Sequence, residues 1–249
     1  MQVANDSTTK QRAYYKQNAE AYEEGWTDTR MDLMLPYAVL TGFIDMLGIE
    51  SILDIGSGSG RGLRTIRRLR PGLRMVGIEP SPDLRRMGHR AGLESDVLVD
   101  GDATAIDFAD SSFDMVCESG ALHHISEPEK AVREMCRVAS KAVFISDVNN
   151  FGSGSPAGRM AKQWINSIGL WRWADRIRTR GRGYHESAGD GVFYSYSVYN
   201  DLPLLEELCR SVHVFNIDGS ARDPFRRSPH VALIGILTDQ VAKVMGERV

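Results

Sequence analysis

The sequence predicts an α/β fold: a doubly wound, seven-stranded, mainly parallel sheet, with the last strand antiparallel and a lid insertion after strand five. Three observations carry this. From residue 51 onward, short apolar runs alternate with segments of helical period, the rhythm of a parallel sheet wound with right-handed crossovers. The first run, SILDI at 51–55, leads at once into GSGSGRG at 56–62, a glycine turn between strand and helix. The last two runs are joined only by a loop over 218–229, which makes them adjacent and antiparallel.

Taken in order, residues 10–24 and 32–47 read as helices that precede the sheet, a helical cap over 10–47. After the glycine turn, Leu63, Ile66 and Leu69 recur at helical spacing, and Arg74–Ile78 is the second strand. Ser81 and Pro82 open the next helix as N-cap and first-turn proline, with Leu84, Met87 and Ala91 turned inward. Val97–Val99 is the third strand, and Met115–Cys117 begins a fourth that runs into ESGALHHI. Ser126 and Glu129 form a capping box with Pro128 in the first turn; Ala131, Val132, Met135, Val138 and Ala139 make the apolar stripe of that helix. Ala142–Ile145 is the fifth strand. From Asn149 to Gly191 the rhythm breaks, with one helix predicted over 157–177, and residues 149–200 are assigned as an insertion for substrate recognition. A helix over 202–211 and strands over 212–217 and 230–237 complete a single domain spanning 1–249.

The composition, 42% hydrophobic and 25% charged, is that of an ordinary globular chain. Thirty basic against thirty-three acidic side chains give a net charge of −3, which argues against a general nucleic-acid partner. Cys117, Cys136 and Cys209 are widely spaced and lie in apolar stretches, so they read as buried thiols of a reducing compartment. The first fifteen residues lack an apolar core, and no run reaches the roughly eighteen apolar residues of a membrane span. The expectation is a cytoplasmic chain without a membrane partner.

A glycine turn at a helix N-terminus lets a ligand approach the backbone and meet free N–H groups. Here Gly56, Gly58, Gly60 and Gly62 supply it, preceded by Asp54 within the strand. A dinucleotide fingerprint begun at Gly56 needs its third glycine where Arg61 stands, a departure from the NAD pattern. Glu79, nineteen residues beyond Gly60 at the end of the second strand, stands where doubly wound folds place an acid for two ribose hydroxyls. An NAD-dependent oxidoreductase, which would share Glu79 and the sheet, is the alternative from another class.

The segments ILDIGSGSG (52–60), GIEPS (77–81), GDA (101–103) and FDMVCESGALHHI (113–125) resemble, in order, the motifs of class I S-adenosylmethionine-dependent methyltransferases of the type 11 group. The resemblance covers about residues 10 to 148. It implies S-adenosylmethionine as cofactor. Gly56, Ser57, Gly58 and Gly60, with Asp54 behind them, would pack on its methionine and ribose moieties, and Glu79, Pro80 and Ser81 would hold the ribose. Asp102 would take the adenine amino group, with Ala103 beside it. Glu118, Ser119 and the stretch to His124 would border the sulfonium and the acceptor. Tyr14 and Tyr22, with Tyr15, resemble the N-terminal helix that closes over the cofactor.

Two readings stand for His123 and His124: one takes a proton from the acceptor near neutral pH, or both pack and hydrogen-bond locally. Asp147, at the carboxyl edge of the sheet, is the other candidate base, or part of a divalent-metal site of the kind some sugar methyltransferases use. No ligand spacing here is diagnostic of metal, and none is assigned.

In the insertion, Arg159, Lys162, Arg172, Arg176, Arg178, Arg180 and Arg182 face a lone acid, Asp175, with Trp164, Trp171 and Trp173 among them. Guanidinium forks and aromatic faces suit a small sugar or phosphate-bearing acceptor; a solvated, packed lid is the other reading. Acceptor contacts are expected from Asn149, Trp164, Tyr184, His185, Tyr194, Tyr196 and Arg226. Methyl transfer from a sulfonium mainly requires alignment and exclusion of water. The function expected is O-methylation of a hydroxyl on a sugar or other polar metabolite; N- or C-methylation of a natural-product intermediate is the alternative among methyltransferases.

Overall fold

The computed structural model describes residues 9–18, 20, 31–218 and 223–238. Its main sheet comprises β1 (Ser51–Ile55), β2 (Arg74–Ile78), β3 (Leu98–Val99), β4 (Phe113–Ser119), β5 (Ala139–Val148), β8 (Ser211–Asn216) and β9 (His230–Ile236). Their order is β3-β2-β1-β4-β5-β9-β8. The first five pair in parallel, and β9 runs antiparallel to both β5 and β8. Every residue of β1 is buried, as expected of a central strand covered on both faces, which is why SILDI reads as a continuous apolar run.

One face is covered by α2 (Met31–Leu47) and α3 (Arg61–Leu69), which bring Leu40, Ile44, Leu63 and Ile66 onto Ile52, Met115 and Ile234. The other is covered by α5 (Pro128–Val138) and α8 (Leu202–Leu208), through Val132, Met135, Leu204 and Leu205 on Leu53, Val116 and Val143. The direction of winding reverses between β1 and β4. Open α/β sheets bind ligands at such a switch, beyond the carboxyl ends of the strands. Residues 9–18 form a helix, α1, and α4 (Pro82–Arg90) follows β2.

Several boundaries differ from the sequence reading. Ser81 caps α4 as expected, its hydroxyl accepting from the Leu84 N–H at 3.4 Å. Ala91, however, is exposed past the helix end, and Gly88 is buried in its place because a side chain there would meet the Ser59 carbonyl. Ser126 is not the N-cap of α5. The chain arrives from a 3-10 turn at Leu122–His124, so Glu127 occupies the cap position, without a side-chain bond, and Pro128 starts the helix. Pairing on both sides extends β5 to ten residues.

The insertion holds two helices where one was expected, α6 (Pro156–Ser167) and α7 (Trp171–Arg178), because Gly169 turns the chain at φ +74°. It also holds a hairpin of β6 (His185–Ser187) and β7 (Gly191–Phe193), strands too short to show alternation in a sequence. A last short helix, α9 (Pro224–Arg227), lies in the loop before β9. Cys117 is buried, but Cys136 and Cys209 are only half-buried, and all three are free thiols. Among the described residues, no helix is long and apolar enough to cross a membrane.

Asn149 fastens the insertion to the sheet. Its amide donates to the carbonyls of Pro224 (3.1 Å), Phe225 (2.8 Å) and Ser228 (2.9 Å). Its Oδ1 accepts from the Phe151 N–H (3.1 Å) and the Ser197 hydroxyl (2.9 Å). The side chain is fully buried and its hydrogen-bonding capacity is consumed inside the fold, so the acceptor contact expected of it has no free group to make it. Asn149→Ala leaves several buried groups unpaired and is expected to cost roughly 2–3 kcal/mol. At this chain length that is a fall of about 5–10 °C in Tm, read by thermal denaturation.

Candidate functional site

A cavity of about 350 Å³ opens at the carboxyl ends of β1, β2 and β4, a size suited to a single small ligand. Its floor is the glycine turn, where Gly56, Ser57 and Gly58 line it and Asp54 looks in from β1. Gly56 has φ +63°, and a Cβ there would lie 2.3 Å from that of Ala121, so a side chain would separate the turn from the segment after β4. Gly60 does not line the cavity; it sits behind, as the left-handed N-cap of α3.

Glu79 is 5% exposed, at the end of β2. Its Oε2 accepts the Gly58 N–H at 3.0 Å and its Oε1 the Ser81 N–H at 2.7 Å. Each oxygen keeps capacity for one more donor. Burial pushes this carboxyl up to about 7, against the pull of the Ser81 and Gly58 N–H groups. Burial likewise raises Asp54 to about 6, opposed by hydrogen bonds from Ser57 and Cys117. Pro80 and Ser81 continue the wall beside Glu79.

On the neighbouring wall, Asp102 Oδ1 accepts both the N–H and the hydroxyl of Thr104 at 2.8 Å, leaving Oδ2 for a further donor, with buried Ala103 between them. Two carboxylates thus stand over a glycine floor. This is a fitting cradle for S-adenosylmethionine: Glu79 has acceptor capacity for two ribose hydroxyls, and Asp102 has it for an adenine amino group.

The opposite end of the cavity is formed by Ser119, Gly120, Ala121 and His124. His124 Nδ1 lies 2.5 Å from the Val192 carbonyl oxygen, which can only accept, so Nδ1 carries the hydrogen and Nε2 the lone pair. That Nε2 lies 3.5 Å from Asp190 Oδ1. His123 stands behind the wall and is buried. Its Nδ1 is 2.6 Å from Asp147 Oδ1, its backbone N–H donates to Asp147 Oδ2 at 3.1 Å, and its Nε2 is 3.4 Å from Asp190 Oδ2. Burial opposes a charge on this ring, yet Asp147 and Asp190 together outweigh it and push it up to about 10.

Asp147 has no exposed surface; burial works against its charge, but the His123 cation prevails and holds it below its ordinary value. Glu118 is buried beside them and off the cavity. Burial, then the Asp147 charge, drive it well above the usual carboxylate range. Its Oε2 accepts the Ala121 N–H at 2.9 Å, while its Oε1 has no partner among the described residues.

Helix α1 closes this end. Gln11, Arg12 and Tyr15 line the cavity, and Gln11 Oε1 accepts the Val192 N–H at 2.5 Å. Tyr14 instead turns to the hairpin, its hydroxyl 3.3 Å from the Ala188 carbonyl, and Tyr22 lies outside the described residues. Of the tyrosines the sequence marks on the cap, Tyr15 lines the cavity; Gln11, Arg12, Tyr37 on α2 and Glu127 before α5 carry no motif that marks them. Asp190 carries only a weak one, an acid between two glycines at a hairpin tip.

The acceptor residues expected from the insertion lie away from the cavity. Tyr184 is buried under Lys10, whose Nζ donates to its hydroxyl at 2.7 Å. His185 stacks on Phe193 and accepts from Arg178 at 2.9 Å. Tyr194 packs edge-on against Tyr184, and its N–H donates to the His123 carbonyl at 2.8 Å. Tyr196 is buried with its hydroxyl on Asp201 at 2.5 Å. Trp164 is 66% exposed on α6, and Arg226 pairs with Asp223 on the surface. Arginine and tryptophan content marks the insertion as unusual but does not say which way its side chains turn.

Residues 53–145 match the family model described as "Methyltransferase domain". A demethylmenaquinone methyltransferase of Renibacterium salmoninarum is 37% identical over 89 residues, 36% of each chain. The chain thus spans about a third of the length of that relative. An uncharacterized methyltransferase of Geobacillus thermodenitrificans is 29% identical over 215 residues, 85% of this chain and 91% of that one. Among solved structures, a methyltransferase of Thermotoga maritima described as S-adenosylmethionine-dependent and a possible histamine N-methyltransferase superposes with a TM-score of 0.59. It shares 16% identity, over 91% of this chain and 99% of that one, a likeness of fold.

Because Glu79 is raised to about 7 from its ordinary 4.5, its contribution to stability is fullest below 4.5 and is lost as pH rises through 7. Ligand binding runs the other way, since hydroxyl donors need the ionised carboxylate. Calorimetric titration with S-adenosylhomocysteine from pH 5.5 to 8.5 is expected to show affinity falling below pH 7 by up to about tenfold per unit. Glu79→Gln should bind more weakly and without that slope.

Proposed function

We propose that this chain is a class I S-adenosylmethionine-dependent methyltransferase, that its acceptor is a hydroxyl on a sugar or other polar small molecule, and that the product is the methyl ether. The single observation that carries this is the imidazole of His124 at the acceptor end of the cavity. Its Nδ1 donates to the Val192 carbonyl at 2.5 Å, which leaves Nε2 as the ring atom that would take the proton. A hydroxyl is a weak nucleophile whose proton must leave as the new bond forms, whereas an amine reacts through a lone pair it already has.

S-adenosylmethionine, when bound, supplies an activated methyl carbon ready for in-line displacement. The chain's own residues bind, align and shield. Glu79 and Asp102 fix the adenosine end by hydrogen bonds, and the glycine floor allows close approach. Helix α1 covers the opening with Gln11, Arg12 and Tyr15, which keeps water from the reacting end. These polar groups suit an acceptor that is itself polar. His123 is not available as the base, since it is buried off the cavity and held protonated between Asp147 and Asp190. Asp147 is spent on His123 in the same way.

His124→Gln tests the reading. Binding of S-adenosylhomocysteine should change by less than about threefold, while turnover of a hydroxyl acceptor should fall roughly 10²–10⁴-fold. Undiminished turnover in that variant would point to an amine or carbon acceptor that needs no base at this position. No affinity for S-adenosylmethionine or S-adenosylhomocysteine in the unaltered chain would refute methyl transfer altogether.

A further inference from the structure

We propose that His123, His124 and Asp190 form a binding site for a divalent transition-metal ion directly behind the cavity wall that carries His124. One ligand atom from each of the three lies within 4.8 Å of the others. The two Nε2 atoms face the Asp190 carboxylate at 3.4 Å and 3.5 Å. These are long ion-pair contacts, beyond the usual N–H···O range of about 2.7–3.2 Å. They match ligand-to-ligand edges around an ion, because bonds of about 2.0–2.1 Å in a tetrahedral site put neighbouring ligands about 3.3–3.4 Å apart.

The far side of each ring strengthens the case. His123 Nδ1 is held by the Asp147 carboxylate at 2.6 Å, and His124 Nδ1 by the Val192 carbonyl at 2.5 Å. Both partners accept only, so both rings carry hydrogen on Nδ1 and present Nε2 to the same acid. An imidazole whose Nδ1–H is fixed by a carboxylate or a backbone carbonyl is the arrangement that orients metal-binding histidines. For His123 this matters most. Its Nε2 does not reach the cavity wall, and Asp190 is the group it faces.

Two imidazoles and one carboxylate suit zinc, cobalt, nickel or ferrous iron, and do not suit magnesium or calcium, which take oxygen ligands. Three protein ligands leave a position open, as in sites that bind a substrate. The site does not depend on which acceptor is methylated. One consequence rests on the methyl-transfer reading: an ion on His124 Nε2 takes the lone pair a base would use, so metal binding and proton removal at that atom exclude one another.

Titration of the full chain, stripped with chelator, with Co²⁺ and then Zn²⁺ tests this. The expected result is one equivalent of Co²⁺ with the visible ligand-field bands of a four-coordinate site, lost when Zn²⁺ replaces it. Asp190→Asn and His124→Gln should each weaken binding at least about 100-fold, and Asp147→Asn about 10–100-fold. Asp190 is half-exposed, so its variant should fold, and retained S-adenosylhomocysteine binding checks that it has. The proposal is overturned by the absence of saturable one-to-one binding, and equally by binding that Asp190→Asn and His124→Gln leave unchanged. S-adenosylhomocysteine titrated into the same samples separates the two ideas: a chain that binds metal but not this nucleoside keeps the site and loses the methyltransferase reading.

Discussion

Asp147 carries a negative charge at the end of β5 with no exposed surface, and the acceptor side of the molecule is built around the hydrogen bonds that make this tolerable. It receives the backbone N–H and the Nδ1 hydrogen of His123 together with the Val148 N–H at 2.5 Å. Burying an ion without such partners would cost several kcal/mol. The pairing orients His123 and turns the second ring nitrogen toward Asp190, while burial, reinforced by the Asp147 charge, drives neighbouring Glu118 toward its neutral form. The hairpin that carries Asp190 is held at the same place, since the Tyr194 N–H donates to the His123 carbonyl. One buried charge therefore links the sheet, the turn after β4 and the insertion.

The cofactor side uses the backbone instead. Glu79 accepts from two backbone N–H groups, one in the glycine turn and one at the cap of α4, so its carboxylate also braces the loop that forms the floor. Its raised pKa comes mainly from burial and is only partly offset by those donors. The apoprotein therefore holds this acid poised near neutrality. A ligand that offers two hydroxyls supplies what the fold leaves out. Polar groups left incompletely satisfied in this way cost stability and gain binding, a trade common at functional sites.

The insertion shows how composition can mislead about direction. Its tyrosines and His185 anchor the hairpin and the α7 terminus rather than facing the cavity, with Lys10 and Arg182 stacked over Tyr184. What the hairpin sets against His123 and His124 is an acid between two glycines, Asp190. Gly191 has φ +68°, and a Cβ there would lie 2.4 Å from Gln11 Oε1, so the hairpin tip has the form that lets α1 pack against it.

The sequence by itself determined the sheet, its winding and the glycine turn and acids at the carboxyl ends of β1 and β2. Those features are local: a strand, a glycine turn and an acid at the next strand end are set by hydrophobic period and by conformational freedom at a few positions. Gly56, Glu79 and Asp102 could be assigned because chain order and strand order place them at one edge. Only the tertiary structure decided the histidine end of the cavity. His123, His124, Asp147 and Asp190 come from the turn after β4, from β5 and from the hairpin, and which of them meet depends on how a 50-residue insertion folds back. No period or spacing encodes that contact. It arises from the need to neutralise a buried charge, a constraint that exists only once the chain is packed.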